Sequence, residues 1–405
     1  MSNQLATNDK ARAYARRRHR ALVAVPDGAK PRGEQPAPRQ QAAAAPMRIM
    51  HVAEALGGGI FGVVSELASG LADRGHEVAI AYGVRAETPR NLRESLDPRV
   101  ELIPTPWTSR TLRASLRASR ALRPAVDVWN PDVIHLHSSF AGVVGAATLG
   151  GLAPTVYTPH GYSFTMKASP LRRKAFRVIE RGVARRVHLV GAVSDAEADL
   201  ARDVVSAPRV EVVLNGIPEL NHEHSQQMPA ERKWGTVAMG RVVPQRQPEK
   251  AATILDAVRD IAPVQWLGGA PHPSPSLGAL QRLQIPFTGW LSREETLERL
   301  AQARVYVHWT AWDGLPLSIL EAMACDVVVI ASDIPANRSV LGPHQVFSTP
   351  GDAISATRRV LLDDSYQRSL LEEQRRRRAR YGSTEMRRGW EDIYRAVARK
   401  AATKG

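Results

Sequence analysis

The sequence predicts an α/β chain built of two doubly wound parallel sheets, on three observations. From Met47 to Ile217, short runs of β-branched and apolar residues alternate with helix-length stretches, the pattern of strands joined through helices. A polar stretch, 218–233, breaks the alternation, which restarts at Thr236 and runs to the C-terminal helices. In both halves the strand-like runs end in Gly- or Pro-bearing turns that feed a helix, the βα unit of a parallel sheet. At 405 residues the chain can hold two such domains and a tail.

Residues 1–46 come first and read as a disordered basic tail. Pro, Gln, Arg and Ala dominate, and apolar residues are too sparse to bury. A basic helix is conceivable over Arg12–Val25; a solvated tail is preferred to a membrane tether. The first domain, 47–217, opens with a strand over Arg48–Ala53. Gly57-Gly58-Gly59-Ile60-Phe61-Gly62 follows as a loop, then a helix over Val63–Arg74 stopped by Gly75. The glycines match G-x-G-x-x-G, which would suit a dinucleotide. That fingerprint also needs an acid at the end of strand two, where Tyr82-Gly83-Val84 stands and Glu87 comes only later. Further strands are expected at Val100–Pro104, Asp132–His137, Thr155–Thr158, Val187–Ser194 and Val210–Ile217. Helices are expected over Leu112–Trp129, Ser169–Arg186 and Ala196–Asp203, the last with a capping box of Ser194 and Glu197. Pro159 and Gly161 constrain a turn that presents His160 at a strand's C-terminal end, where open α/β sheets place ligand chemistry.

The second domain, 218–383, starts with Thr236–Met239, whose turn carries Arg241 and Arg246; guanidinium forks hold phosphate oxygens well. Strand-like runs follow at Pro263–Gly269 and Ile285–Trp290, then a helix over Arg293–Ala303. The most informative stretch comes next. Val305–Trp309 reads as a strand, Trp312-Asp313-Gly314-Leu315-Pro316 as a turn, and Leu317–Met323 as a helix. A helix start offers free N–H groups and a positive dipole end to phosphate, while a carboxylate such as Glu321 better suits sugar hydroxyls. Amides for phosphate and a carboxylate for ribose describe a nucleotide-sugar site. A buried strand at Val327–Ala331 and helices over Ala353–Asp363, Tyr366–Arg380 and Thr384–Lys400 complete the chain.

Asp313 to Glu321 resembles the E-x7-E motif of the retaining GT-B glycosyltransferases of family 4, with Asp in the first place. Phe287-Thr288-Gly289-Trp290, Ala331-Ser332-Asp333-Ile334-Pro335, Thr158-Pro159-His160-Gly161 and Asn215-Gly216-Ile217 are similar to segments of the same family, and the likeness covers about residues 47–400. It implies a GT-B fold: two Rossmann-like doubly wound domains facing across a cleft, with 47–217 for acceptor, 218–383 for donor, and a last helix, 384–405, crossing back. It implies a retaining hexosyltransferase of cell-surface glycan synthesis. The donor would be a UDP- or GDP-linked sugar and the acceptor a polyprenyl-diphosphate-linked glycan or a saccharide. No cofactor and no metal are expected. By this resemblance Gly58 and Gly59 let the donor diphosphate approach the backbone. His160 faces the transferred sugar and eases positive charge at its anomeric carbon. Arg241 and Arg246 hold the diphosphate with the Gly314, Leu315, Pro316 and Leu317 turn, Asp313 completes the catalytic set, and Glu321 holds the ribose. The chain departs from the family at Asp313, Asp326, Val328, Arg304 and Ser339.

Composition bounds the partners. The net charge is +15 and the pI about 10.4, of which residues 1–46 carry nine Lys/Arg against three Asp/Glu. Diphosphate groups and an anionic membrane surface fit that charge; no nucleic-acid motif is present. The basic run over 169–186 is a candidate for an anionic lipid-linked acceptor. Cys325 is the only cysteine, which excludes disulfides within the chain and Cys-based zinc sites. His135 and His137 share a strand face but lack a third ligand, so metal binding is not expected. No D-x-D segment and no nucleophile–acid carboxylate pair stand out, which favours front-face sugar transfer. With no apolar run of about 18 residues and no signal sequence, a cytoplasmic setting is expected, peripheral at the inner face of the plasma membrane. Two other classes stay open: an NAD-dependent oxidoreductase or epimerase using Gly57–Gly62, and a non-catalytic basic binding protein.

Overall fold

The computed structural model describes residues 45–85, 88–89, 91–166, 168–218, 232–270 and 274–403. The basic tail with Arg12–Val25, Glu87, and most of the 218–233 stretch lie outside the described residues. The first sheet contains β1 (Arg48–Ala53), β2 (Glu77–Gly83), β3 (Glu101–Thr105), β4 (Val133–His137), β5 (Thr155–Thr158), β6 (Leu189–Ala192) and β7 (Val210–Val212). All pairs are parallel, in the order β3-β2-β1-β4-β5-β6-β7. The second sheet contains β8 (Trp234–Met239), β9 (Val264–Leu267), β10 (Ala303–His308), β11 (Val328–Ser332) and β12 (Val346–Phe347), in the order β12-β11-β10-β8-β9, again parallel.

Each order has one reversal. The chain winds outward from β1 to β3 and then places β4 on the other side of β1; it does the same with β8, β9 and β10. At such a switch point the crossover helices diverge and leave a crevice at the strands' C-terminal ends. The predicted site residues leave β1, β5, β8 and β10 at those ends.

The first sheet's helices are α1 (Gly58–Asp73), α2 (Leu112–Trp129), α3 (Ser139–Thr148), α4 (Pro170–Arg186) and α5 (Asp195–Asp199), the last continuing as a π-turn over Leu200–Val205. One face of the sheet packs on α2 to α5 through Leu122, Ala141, Val144, Val183 and Ala201. The second sheet carries α6 (Pro248–Asp256), α7 (Leu277–Arg282), α8 (Arg293–Ala301), α9 (Leu317–Ala324), α10 (Pro335–Leu341), α11 (Pro350–Leu362) and α12 (Asp364–Arg378). The chain ends in α13 (Ser383–Ala402).

Three expectations need correction. The glycine run is not a loop ahead of the first helix: Gly57 is the N-cap and Gly58 to Gly62 form the opening turn of α1. Ile285–Trp290 makes only isolated bridges, Phe287 to Trp266 and Gly289 to Gly268, because Pro286 has no N–H to continue a ladder. The sequence reading has no counterpart to α3. Its uniformly apolar run lacks helical period, and Gly142 and Gly145 weaken the helical signal. Packing overrides that weakness, since a Cβ on either glycine would overlap the Tyr157 ring or the Leu136 side chain of the sheet.

The chain returns from the second sheet to the first at 381–383. Ile217 N–H donates to Tyr381 O at 3.0 Å, and Ser383 N–H to Ile217 O at 3.0 Å. α13 then lays Met386, Trp390, Tyr394 and Val397 against Val133, Val156, Leu189 and α1. Trp390 is fully buried there. Trp390→Ala is expected to cost about 3–5 kcal/mol, read as a lower denaturant midpoint in equilibrium unfolding; a midpoint within error of wild type refutes this anchoring.

Candidate active site

Two turns build the site, one from each sheet. After β5, His160 sits at φ 52° and Gly161 at φ +98°, so the chain reverses through left-handed conformations that a non-glycine residue adopts only when held there. Glu197 at the start of α5 does the holding: its carboxylate accepts the Gly161 N–H at 2.6 Å and the Val193 N–H at 2.9 Å. The capping box therefore forms only in part. Ser194 Oγ accepts the Glu197 N–H at 3.1 Å, but the Glu197 side chain turns to the His160 loop instead of the cap. Burial pushes the Glu197 carboxyl up to about 7.

The second turn follows β10. Gln245, in the turn after β8, staples it: Gln245 O accepts from Ala311 N at 2.8 Å and Thr310 Oγ1 at 3.1 Å, and Gln245 Nε2 donates to Trp312 O at 2.9 Å. Beside it, Arg246 Nη1 donates to Asp313 Oδ2 at 2.8 Å and lies 3.2 Å from His308 Nε2. Desolvation and the Arg246 charge hold His308 well below its ordinary pKa, so the ring is neutral and its Nε2 accepts. Its other nitrogen lies 2.7 Å from the Tyr306 hydroxyl, which reaches Ser318 Oγ on α9 at 3.0 Å. Asp313 Oδ1 accepts the Gly314 N–H at 3.1 Å. Arg246, Asp313, His308, Tyr306 and Ser318 thus form one connected polar chain.

The two turns touch. A Cβ on Gly314 would lie 2.8 Å from Gly161 N and 2.9 Å from the His160 carbonyl carbon. Ser194 Oγ donates to Gly314 O at 3.3 Å, and the Leu317 side chain fills the space over Gly62 on α1. His160, Arg246, Asp313, Gly314, Leu315, Pro316 and Leu317 are thus brought together. Arg241 is exposed in the same turn as Arg246. Gly58 and Gly59 border open space: no atom lies within 4 Å of where a Cβ would be. Glu321 accepts from Arg293 Nε at 3.2 Å. The sequence marks Glu197 only as half of a capping box and gives no sign of its hold on the His160 loop, nor of the supporting roles of Gln245, His308 and Arg293.

The family departures have structural places. Asp326 takes φ 50° and pairs with Arg375 at 2.9 Å. Arg304 reaches Leu361 O and Asp364, both at 3.0 Å. Ser339 Oγ donates to Ala336 O at 2.8 Å, and Val328 is a core residue of β11. His135 and His137 do have a third histidine beside them: His51 of β1 brings the three to within 4.8 Å. Both ring nitrogens of His135 are nonetheless engaged, with Tyr394 OH at 2.7 Å and Thr158 Oγ1 at 2.8 Å.

Comparison with known proteins agrees with this layout. The family described as "Glycosyl transferase 4-like domain" matches residues 58–216, and "Glycosyl transferases group 1" matches residues 277–383. The chain has the GT-B fold and carries one domain similar to each of these two glycosyltransferase families. An uncharacterized 41.2 kDa protein in the cps region of Klebsiella pneumoniae is 24% identical over 52% of this chain and 62% of its own length. The match thus spans under two thirds of that relative. A UDP-Gal:alpha-D-GlcNAc-diphosphoundecaprenol alpha-1,3-galactosyltransferase of Escherichia coli is 24% identical over 62% of the chain and 70% of its own length. Sucrose-phosphate synthase from Thermosynechococcus elongatus superposes with a TM-score of 0.72 at 19% identity, over 86% of this chain and 99% of that one, a likeness of fold.

Glu197 yields a pH prediction. Its carboxyl titrates near 7 folded against 4.5 as a free group. Between those values the folded state binds more protons, so this contribution to stability is complete below about 4.5 and declines as pH rises to about 7. Glu197→Gln removes that slope. It also gives up one backbone hydrogen bond, since an amide nitrogen cannot accept, at about 1–3 kcal/mol. Thermal melts at about pH 5 and about pH 8 check it; an unchanged difference between the two in the variant refutes the assignment.

Proposed function

We propose that the protein moves a sugar, with retention, from a nucleoside-diphosphate sugar to a lipid-linked or polysaccharide acceptor in surface-glycan synthesis. The observation that carries this reading is the meeting of the two sheets' C-terminal ends at the His160–Gly161 and Asp313–Gly314 turns. Each end alone is an ordinary ligand position; joined, they set a donor beside an acceptor. The UDP-galactose donor and diphosphoundecaprenol substrate in the name of the E. coli relative support UDP as the nucleotide and a polyprenyl-diphosphate acceptor.

In this scheme the diphosphate lies between Arg241 and the first turn of α9, whose leading N–H groups have no intrahelical acceptor. Arg246 adds its Nε and Nη2, its Nη1 being committed to Asp313 and His308. These cations stabilise the charge that grows on the departing diphosphate, so the scheme runs without a metal ion. Glu321 takes the ribose hydroxyls through Oε2 while Oε1 stays with Arg293. Asp313 is tied to Arg246 and to the Gly314 amide, which supports front-face transfer over a carboxylate nucleophile: a diphosphate oxygen takes the acceptor's proton. Closure of the two lobes keeps water out.

A panel of UDP- and GDP-sugars, read by released nucleoside diphosphate, tests the reading, with NAD titrated alongside. Arg241→Ala is expected to lower kcat by about 10²–10³-fold, and near-wild-type turnover removes that assignment. NAD binding without nucleoside diphosphate release would favour the oxidoreductase instead.

The acceptor side rests on α4. Among the described residues no helix is long and apolar enough to cross a membrane. α4, however, presents Leu171 and Val178 at 79% and 58% exposure among seven Lys/Arg, and its one acid, Glu180, is buried. Exposed apolar residues within a basic helix suit an anionic bilayer surface. The full chain is expected to co-sediment with anionic vesicles and not with neutral ones. Replacing Leu171 and Val178 with Glu should weaken that binding by about tenfold or more; undiminished binding refutes this surface.

A further inference from the structure

His160 is the end of a chain of rings. Its Nε2 lies 2.9 Å from His137 Nδ1, and His137 Nε2 lies 2.9 Å from His51 Nδ1. His51 and His137 come from β1 and β4, the pair that flanks the switch point. Both are buried, whereas His160 is half-buried at the crevice end. His160 Nδ1 has no hydrogen-bond partner among the described residues.

All three rings are neutral: burial pushes His51 down to about 3 and His160 to about 4, and holds His137 well below its ordinary value. A neutral imidazole has one donor and one acceptor. Two hydrogen bonds in series therefore allow two polarities. In the first, each ring donates from Nδ1 to Nε2 of the next, which leaves His160 protonated on Nδ1. In the second, each donates from Nε2 back to Nδ1, which leaves a proton on His51 Nε2. That atom decides between them, because it is buried with no partner among the described residues. An orphaned buried N–H is rarer in native structures than an under-used acceptor. The first polarity leaves only a lone pair there.

We propose that His137, backed by His51, is a positioning residue that fixes His160 as its Nδ1–H tautomer. The crevice-side nitrogen of His160 is then a hydrogen-bond donor and not a base. It takes an oxygen lone pair of the sugar or of the leaving oxygen, and it cannot remove the acceptor's proton. The use made of this donor rests on the transferase reading above; the tautomer itself does not.

Two-bond ¹H–¹⁵N correlation on the ¹⁵N-histidine-labelled full chain reads the tautomer directly, with His160 assigned by its loss in His160→Gln. The expected result is Nδ1–H, and an Nε2–H pattern overturns the proposal. His137→Phe removes the donor and should lower kcat about tenfold or more with donor KM within about threefold of wild type. His137→Asn puts an amide N–H where Nδ1 stood and should recover kcat to within about threefold. Wild-type kcat in the Phe variant, or an Asn variant as slow as Phe with both folded by thermal melt, overturns it. If the Phe variant does not fold, the wild-type and Asn spectra decide. If no donor supports transfer, the functional reading fails while the tautomer result still stands.

Discussion

Gly161 and Gly314 approach so closely that a Cβ on Gly314 would overlap the Gly161 backbone, while Gly161 is held at φ +98°, and this contact turns two separate crevices into one site. Each glycine is held from its own side. Glu197 grips the Gly161 amide, and Asp313, locked by Arg246, grips the Gly314 amide. The left-handed conformations at His160 and Gly161 are costly in isolation, of order 1–3 kcal/mol for a strained residue. They persist because the Glu197 bonds over-determine the turn. A carboxylate kept from water to hold a backbone amide is itself an expense, visible in its raised pKa. Stability is thereby traded for a preset geometry in both turns.

Charge in the site is neutralised locally. Arg246 meets Asp313, Arg293 meets Glu321, and the buried histidines are uncharged. The net +15 of the chain is therefore not concentrated between the two turns. Much of the positive charge stands on surfaces such as α4 and the last turn of α12, Arg375 to Arg378. A site of paired ions in a partly desolvated crevice responds strongly to a polyanionic ligand, since each guanidinium can exchange or share its carboxylate for phosphate at little reorganisation.

The fold was legible because every strand but the two-residue β12, and most helices, repeat a simple period, and the turns that carry His160, Arg246 and Asp313 are marked by Gly or Pro. Where period failed, tertiary packing had overridden it, as in α3, whose glycines serve contact with Tyr157 and Leu136. Supporting residues were illegible for a different reason. Glu197 has the spacing of a capping residue, and only the fold brings the His160 loop within reach of its carboxylate. His51 lies 84 and 86 residues before His135 and His137, and the three meet only because β4 pairs with β1. Parallel sheets bring together residues that sequence spacing cannot relate.

The return of α13 follows from the same winding. From β3 onward the first sheet's crossovers α2 to α5 all pack on one face, through residues such as Leu122, Val144, Val183 and Ala201. The opposite face has α1 over β1 and β2, but no crossover covers Val133, Val156 and Leu189 of β4, β5 and β6. A parallel sheet is stable only with both faces covered. Trp390 and Tyr394 supply that cover, and because side chains alternate along a strand, they meet the same face that carries His51, His135 and His137. Tyr394 OH bonds His135, and the Trp390 ring packs tilted against it, the centroids 4.4 Å apart. The helix that crosses between the lobes is thus the floor on which the switch-point histidines rest. Its first residue, Ser383, is pinned at the crossing between the lobes by its bond to Ile217. Shielding by this helix keeps the histidine rings dry and neutral, so the electrostatics of the crevice and the covering of the sheet have one cause.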